Sequence, residues 1–277
     1  MTRLIHFSRA GLLALMSASA AGLAHADDTI VNANNQFSLS VGGHHLSYTE
    51  HTDQYDPLDS ENGTQAAFEA NFVRQGSVLG VSDIYFNASV DYATGTTAYN
   101  GYLESAYSPV MIPWQSTTHD KTIDVNVKLG RAFALTPQRD LQLIPYLAYG
   151  SHNWIRDMSD SSYGYYEHYR HQTISVGLLG QYAILPGLTA SADFHVGKML
   201  GAKMTASDVV GTFQMSNKPV LGGGLSLDYA LTRHLHVSAK WQIEHFQYGA
   251  SNVIDNEYEP DSTTTEQLFM VGVGYAF

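Results

Sequence analysis

The last ten residues of the chain, LFMVGVGYAF, alternate strictly between two kinds of side chain. The large set comprises Phe269, Val271, Val273, Tyr275 and Phe277. The other set comprises Leu268, Met270, Gly272, Gly274 and Ala276. A period of two indicates a β-strand whose two faces meet different surroundings. Because neither face is polar, the pattern favours bulky groups facing lipid and small groups facing a crowded barrel interior.

The same division of faces recurs along the chain. Near residues 121–134, for example, Ile123, Val125 and Leu129 alternate with Asp124 and Lys128. Ten strands are predicted, near 36–50, 64–75, 82–94, 121–134, 141–153, 171–184, 188–199, 220–231, 235–248 and 266–277. The fold class is therefore all-β, a transmembrane antiparallel up-and-down β-barrel. Ten strands are preferred, and eight or twelve remain open.

Short and long connections alternate between these strands. The predicted long loops are 51–63, 95–120, 154–170, 201–216 and 249–265, and both chain ends fall on the side of the short turns. The long loops are acidic and rich in tyrosine. Two of them contain Glu50, Asp53, Asp56, Asp59, Glu61, Asp255, Glu257, Glu259 and Asp261. We expect solvated loops, with cation binding or protein recognition left open.

Aromatic residues cluster at the predicted strand ends, as the interfacial girdles of membrane barrels require. Near the short turns these are Phe37, Phe72, Phe133, Tyr182, Tyr229 and Phe277. Near the long loops they are Tyr48, Tyr92, Tyr149, Trp241 and Tyr248.

The N-terminus has the pattern of a secretory signal peptide. Arg3 and Arg9 precede an apolar stretch, which ends at Ala24-His25-Ala26. The predicted division is a signal peptide at 1–26 and one barrel domain at 27–277. The chain has no cysteine, and only 14% of its residues are charged, against about 25% in usual soluble proteins. Its net charge of −12 argues against a nucleic-acid partner.

The signal peptide and the terminal GVGYAF, with Phe277 last, resemble bacterial outer-membrane β-barrel proteins. The resemblance implies localisation in the Gram-negative outer membrane, among lipid and lipopolysaccharide. It also implies that the barrel-assembly machinery recognises a signal formed by Phe277, Tyr275 and Val273.

Strand alternation turns a set of ionisable side chains toward the lumen. This predicted polar network comprises Glu69, Asp91, Asp124, Lys128, Asp193, His195, Asp228, Lys240 and Glu244. Charges in a narrow barrel must pair or stay hydrated, because an unpaired buried charge is costly. Ten strands enclose little more than their own side chains. We therefore expect a plugged lumen, with a narrow channel for small solutes as the alternative.

Two sequence pairs invite comparison with enzymes. The scaffold size is similar to that of the omptin proteases, and Asp193 with His195 resembles their Asp–His pair. That pair falls in mid-strand, however, and the omptin aspartate pair has no counterpart. His236 and Ser238 resemble the His-x-Ser of outer-membrane lipid A deacylases, but alternation turns both residues inward. We expect no catalytic residues and no enzyme activity, and a rim-sited protease or lipid A-modifying enzyme remains the less favoured alternative.

Neighbouring histidines do not form an obvious metal site. His44 and His45 are adjacent, so a strand places them on opposite faces. His168 and His171 have a plausible spacing for metal ligands in the sequence, but strand alternation places them on opposite faces as well. No metal and no cofactor are therefore predicted. The expected role is a surface, structural or adhesion-type protein whose loops contact envelope components or an external protein partner.

Overall fold

The computed structural model describes residues 26–105, 108–160 and 164–277, and these form a closed, ten-stranded antiparallel β-barrel. One short helix, α1 (Ala26–Ala33), precedes the strands. The strands are β1 (Asn35–His51), β2 (Asp59–Val78), β3 (Val81–Ser105), β4 (Ser108–Arg131), β5 (Phe133–Ala134), β6 (Leu141–Asp157), β7 (Tyr166–Leu185), β8 (Leu188–Ala206), β9 (Phe213–Ala230), β10 (Leu235–Ser251) and β11 (Asp261–Ala276). The two-residue β5 continues β4 after Ala132, so the wall has ten members, as the sequence predicts.

Pairing between the first and last strands closes the barrel. Val41 lies opposite Val271, and the ladder runs from Gln36 to His51 without a register shift. We call the end with the short turns and both chain ends the turn end, and the opposite end the hairpin end.

The large apolar faces of the strands form a belt on the outside of the barrel, as predicted. Val271 is 61% exposed, Phe194 is 57% exposed, and Leu147 is 63% exposed. The small face of the last strand turns inward, where a Cβ on Gly272 would collide with Ser40. No helix in the described part of the chain is long and apolar enough to cross a membrane.

The predicted long loops are the main error in the sequence reading, because most of their residues are strand. β3 and β4 contain 25 and 24 residues and run as a paired hairpin from the barrel wall to Ser105 and Ser108. A strand needs only about 9–11 residues to cross a membrane. Threonine and tyrosine, which favour strands, are frequent in these segments, and they continue the ladder beyond the apolar belt.

The prediction of an interfacial position is also wrong for two of the girdle residues. Tyr48 and Tyr248 are almost completely buried inside the barrel, not at a lipid interface. Both lie at positions that share the inward face with Leu46 and Phe246, because residues two apart point the same way. Phe37, Phe133, Tyr182, Tyr229, Phe277 and Tyr149 do lie exposed on the outer wall.

Helix α1 lies in the turn end of the barrel. It packs against β1 and β7 to β9, and Ile30 is 1% exposed. Residues 1–25, which contain nearly all of the predicted signal peptide, lie outside the described residues, so that prediction stands as an expectation.

Candidate functional site in the barrel interior

The interior contains a polar chamber of about 300 Å³ between two clusters of buried side chains. Its wall carries serine, threonine and asparagine side chains together with all nine residues of the predicted polar network. The chamber is a consequence of strand alternation, because many inward positions of the apolar belt are small or polar. What matters chemically is how its ionisable groups are paired.

Four of the predicted lumen residues form one cluster centred on Asp193, namely Asp193 itself, Lys128, His195 and Glu244. Lys128 Nζ lies 3.0 Å from Asp193 Oδ2, and the Tyr146 hydroxyl donates to the same carboxylate at 2.8 Å. His195 Nδ1 lies 3.3 Å from Asp193, and its Nε2 lies 3.5 Å from Glu244. The carboxylate is therefore neutralised and held by three neighbours from other positions on the wall.

Two further groups form around the remaining predicted residues. Lys240 donates to Glu69, which lies directly across the sheet from Asp91. Asp228 lies 2.6 Å from His236 Nδ1 and accepts a hydrogen bond from Gln36 at 2.9 Å. Asp124 pairs instead with His152, at 2.7 Å. The nine predicted residues thus occur as separate clusters, not as one continuous network.

The turn end contains a layer of buried amides that the sequence pattern does not predict. Asn34, which follows α1, donates to Gln75 at 2.8 Å and to Gln181 at 2.6 Å. Gln142 completes the layer, and it donates to Gln181 at 2.8 Å. All four side chains are buried. Amides suit this position because each one carries both donors and an acceptor and none adds charge.

The hairpin end contains a second unpredicted cluster, which surrounds Arg156. Its side chain is 1% exposed, and its guanidinium lies 2.9 Å from Glu61 and 2.7 Å from Glu167. Its guanidinium carbon also lies 4.7 Å above the ring of Tyr48. The aromatic residues packed in this cluster are Tyr48, Trp154, Tyr169, Phe213, Phe246 and Tyr248. Continued alternation from His152 through Trp154 to Arg156 was the available sequence signal.

The acidic residues of the predicted loops divide into two groups. Glu50, Asp59, Glu61 and Glu259 are buried near Arg156, whereas Asp53, Asp56, Asp255, Glu257 and Asp261 are exposed. The prediction of solvated loops is therefore wrong for the first group. Sequence spacing could not reveal this, because the burial depends on neighbouring hairpins that close over the lumen.

Several of these hairpin-end carboxyl groups hold protons more tightly than usual. Burial, reinforced by the nearby Glu61, raises the pKa of Asp120 from 3.8 to about 8. Burial and the nearby Glu167 raise the pKa of Glu259 from 4.5 to about 8. Burial likewise raises the pKa of Asp59 to about 6. The single positive charge of Arg156 cannot neutralise all of the carboxylates around it. Protonation of some of these carboxyl groups therefore lowers the excess negative charge.

The two enzyme-like pairs lie inside the barrel. Asp193 and His195 line the chamber, held by Lys128 and Glu244. His236 is 1% exposed, and Ser238 lines the chamber as well. Inward orientation agrees with the alternation argument, and it separates both pairs from the rim and from the lipid-facing wall.

One group in the chamber has the residue types of a metal site. Ligand atoms of Asp124, His152 and Glu266 all lie within 4.8 Å of one another. These residues stand on β4, β6 and β11, so no sequence spacing could connect them.

Comparison with known proteins supports the fold and leaves the activity open. No protein-family model matches the sequence, and no curated protein matches it. Among solved structures, the chain is similar to the outer membrane protease OmpT from Escherichia coli, with a TM-score of 0.54 and 10% identity. That match covers 89% of this chain and 97% of the protease.

Two further solved structures match over a similar share of this chain. Neisserial surface protein A has a TM-score of 0.30 and 14% identity, over 87% of this chain and 97% of that one. OprG from Pseudomonas aeruginosa has a TM-score of 0.36 and 10% identity, over 88% and 96%. The similarity to OmpT, together with the closed ten-stranded wall, shows the fold of bacterial outer-membrane β-barrels, and in size the chain is like the ten-stranded omptins.

Proposed function

We propose that this chain is a non-conducting outer-membrane barrel that acts as a surface scaffold, with its hairpin end outside the cell. The observation that carries the proposal is a cluster of buried side chains at each end of the lumen. The amide layer under α1 fills the turn end, and the Arg156 cluster fills the hairpin end. Such clusters would obstruct the lumen, so a barrel of this kind presents its outer hairpins, not its interior, to other molecules.

The length of the hairpins supports a surface role. The exposed apolar face of β3 ends near Val90 and Tyr92, while its pairing with β4 continues to Ser105. At about 3.3 Å per residue, this strand continues for roughly 40 Å beyond the belt. Because strand pairing holds this projection rigid, the hairpin would lose little conformational entropy when a partner binds.

The chemistry of the projecting surface defines the expected partners. Asp53, Asp56, Asp255 and Glu257 are exposed, and Tyr258 is 50% exposed beside them. Exposed carboxylates suit divalent cations that bridge lipopolysaccharide phosphates, and exposed tyrosine suits protein recognition. We propose lipopolysaccharide and external protein surfaces as partners and no catalytic role.

A narrow channel is the second candidate, and the polar chamber favours it. Transport would require the amide layer and the Arg156 cluster to open, and the chamber itself could hold a small solute.

Single-channel recording in a planar bilayer separates the two functions. The scaffold predicts a folded, silent barrel, and the variants Lys128→Ala and Lys240→Ala should be silent as well. Lys121→Ala is the matched control, because Lys121 is exposed on the outer wall. Steady conductance of the unaltered protein that shifts with the two inward lysines, but not with Lys121, would overturn the scaffold and establish a conduit.

A further inference from the structure

A row of ionisable residues crosses five neighbouring strands at one level of the barrel. The pairing register places Glu69 opposite Asp91, Asp91 opposite Asp124, Asp124 opposite His152, and His152 opposite His171. All five side chains line the chamber. Lys240 compensates the Glu69 end of the row, whereas the Asp124 end meets histidines.

Two more ionisable residues reach the same place from the other side of the lumen. Glu266 on β11 lies within 4.8 Å of the ligand atoms of Asp124 and His152. His44 Nε2 lies 3.7 Å from Glu266 Oε1. Within the described ranges, neither Asp124 nor Glu266 has a lysine or arginine within salt-bridge distance. The excess negative charge at this point therefore has only imidazole groups to offset it.

Several ligand-type atoms in this group lack a hydrogen-bond partner although they are buried. His152 is 6% exposed and His171 is 1% exposed, and the Nε2 atoms of both have no partner among the described residues. Glu266 Oε1 is also without a hydrogen-bond partner there. The two imidazole rings stack with their centroids 4.8 Å apart. Unsatisfied buried polar atoms are costly, and a bound ion satisfies them.

We propose that Asp124, His152 and Glu266 bind one divalent transition-metal ion inside the barrel, with His44 and His171 beside it. Two carboxylates and neutral imidazoles together match the charge of a dication. Imidazole with carboxylate suits zinc, copper or nickel more than calcium, which prefers oxygen ligands alone. Ligands of one tetrahedral zinc lie about 3.4 Å apart, so side-chain movements on the order of 1 Å close the site.

The position gives the metal a structural role. The ion would join β4 and β6 to β11 on the other side of the lumen, and thus connect walls that share no backbone ladder. It lies next to Phe246 of the aromatic cluster, which contacts both His152 and His171. Metal binding would therefore stabilise the floor of the hairpin-end closure.

Equilibrium dialysis of the tag-free, folded barrel against zinc tests the site, with cobalt absorption as a second readout of nitrogen and oxygen ligation. Metal is supplied both during refolding and afterwards, so that a sealed chamber does not prevent loading. We expect one tightly bound ion per chain. His152→Gln and Glu266→Gln should each weaken binding by about tenfold or more. Folding of every variant is checked by its gel shift on heating.

The matched control is His245→Gln, which removes an exposed imidazole from the outer wall. It should retain the bound ion and the cobalt spectrum. If His152→Gln does not fold, Glu266→Gln and Asp124→Asn carry the test. Absence of stoichiometric binding to the folded wild-type barrel, equal loss in His245→Gln, or undiminished affinity in a folded site variant would each overturn the proposal.

Discussion

Lys128 on β4 and Asp193 on β8 are joined by a 3.0 Å ion pair across the lumen, with β6 and β7 between their strands. Lys240 on β10 and Glu69 on β2 repeat this arrangement on the other side, across β11 and β1. Backbone pairing holds only adjacent strands together. These two lysines therefore fix the cross-section of the barrel where no ladder can do so.

Replacing Lys128 by methionine should destabilise the barrel by about 1–3 kcal/mol, because Asp193 then loses a charged donor while it stays mostly buried. Urea unfolding in detergent micelles, followed by the gel shift on heating, measures the change. Lys121→Met, on the exposed wall of the same strand, should have little effect. Equal losses in both variants would show that the cross-lumen pair contributes nothing specific.

Arg156→Met should destabilise the hairpin end by about 3–5 kcal/mol, since Glu61 and Glu167 would remain buried without their partner. Arg156→Lys should restore only part of this, because an ammonium cannot reproduce the planar guanidinium fork. Unfolding in urea gives the loss, and limited proteolysis shows whether the outer hairpins open first. Arg131→Met removes an exposed arginine and provides the control. Wild-type stability of Arg156→Met would contradict the assigned role of the cluster.

The hairpin end should be most stable in acid. The pKa values of Asp120 and Glu259 are raised to about 8 in the folded barrel, so the folded state binds more protons than the unfolded chain above about pH 4. The contribution of these two groups to the stability of the folded barrel is fully present below pH 4, and it is lost as the pH rises through about 8. Proteolysis of the hairpins at pH 5 and pH 9 should therefore be slower at pH 5. Asp120→Asn should reduce this difference, and an unchanged pH profile in that variant would count against the assignment.

The chamber should be poorly accessible from either side of the membrane. The chain contains no cysteine, so Ser89→Cys places a single thiol on the chamber wall, and Val253→Cys places one on an exposed hairpin. A charged thiol reagent should modify Ser89→Cys much more slowly. Removing residues 27–33 should accelerate that reaction and leave Val253→Cys unaffected. Equally fast labelling of both sites in the intact barrel would mean that the ends are open.

The terminal residue should matter more for assembly than for stability. Phe277 stacks on Phe72 with the ring centroids 5.8 Å apart, yet it remains 56% exposed. Phe277→Ser should lower the amount of barrel assembled in the outer membrane while the refolded protein keeps most of its stability. Phe37→Ser, also on the outer wall near the turn end, serves as control. Parallel losses of assembly in both variants would argue against a recognition signal at Phe277.

The sequence by itself determined the class of fold and the face of each strand that meets lipid, and it favoured ten strands over eight or twelve. These properties are local, because a period of two places Val271, Val273 and Tyr275 on one face whatever the rest of the chain does. The same rule turned Lys128, Asp193 and His236 inward. It did not reveal that Tyr48 and Tyr248 are buried, since strand length beyond the belt depends on partner hairpins.

Only the tertiary structure decided which inward residues meet. Asp124, His152 and Glu266 come from β4, β6 and β11, and their proximity depends on the register of every intervening ladder and on closure of the barrel. The contacts of Arg156 with Glu61 and Glu167 depend on strand register and barrel closure as well. A shift of one residue in a single strand pairing would turn the inward side chains of an entire strand outward. These sites therefore exist only in the closed barrel with its observed register.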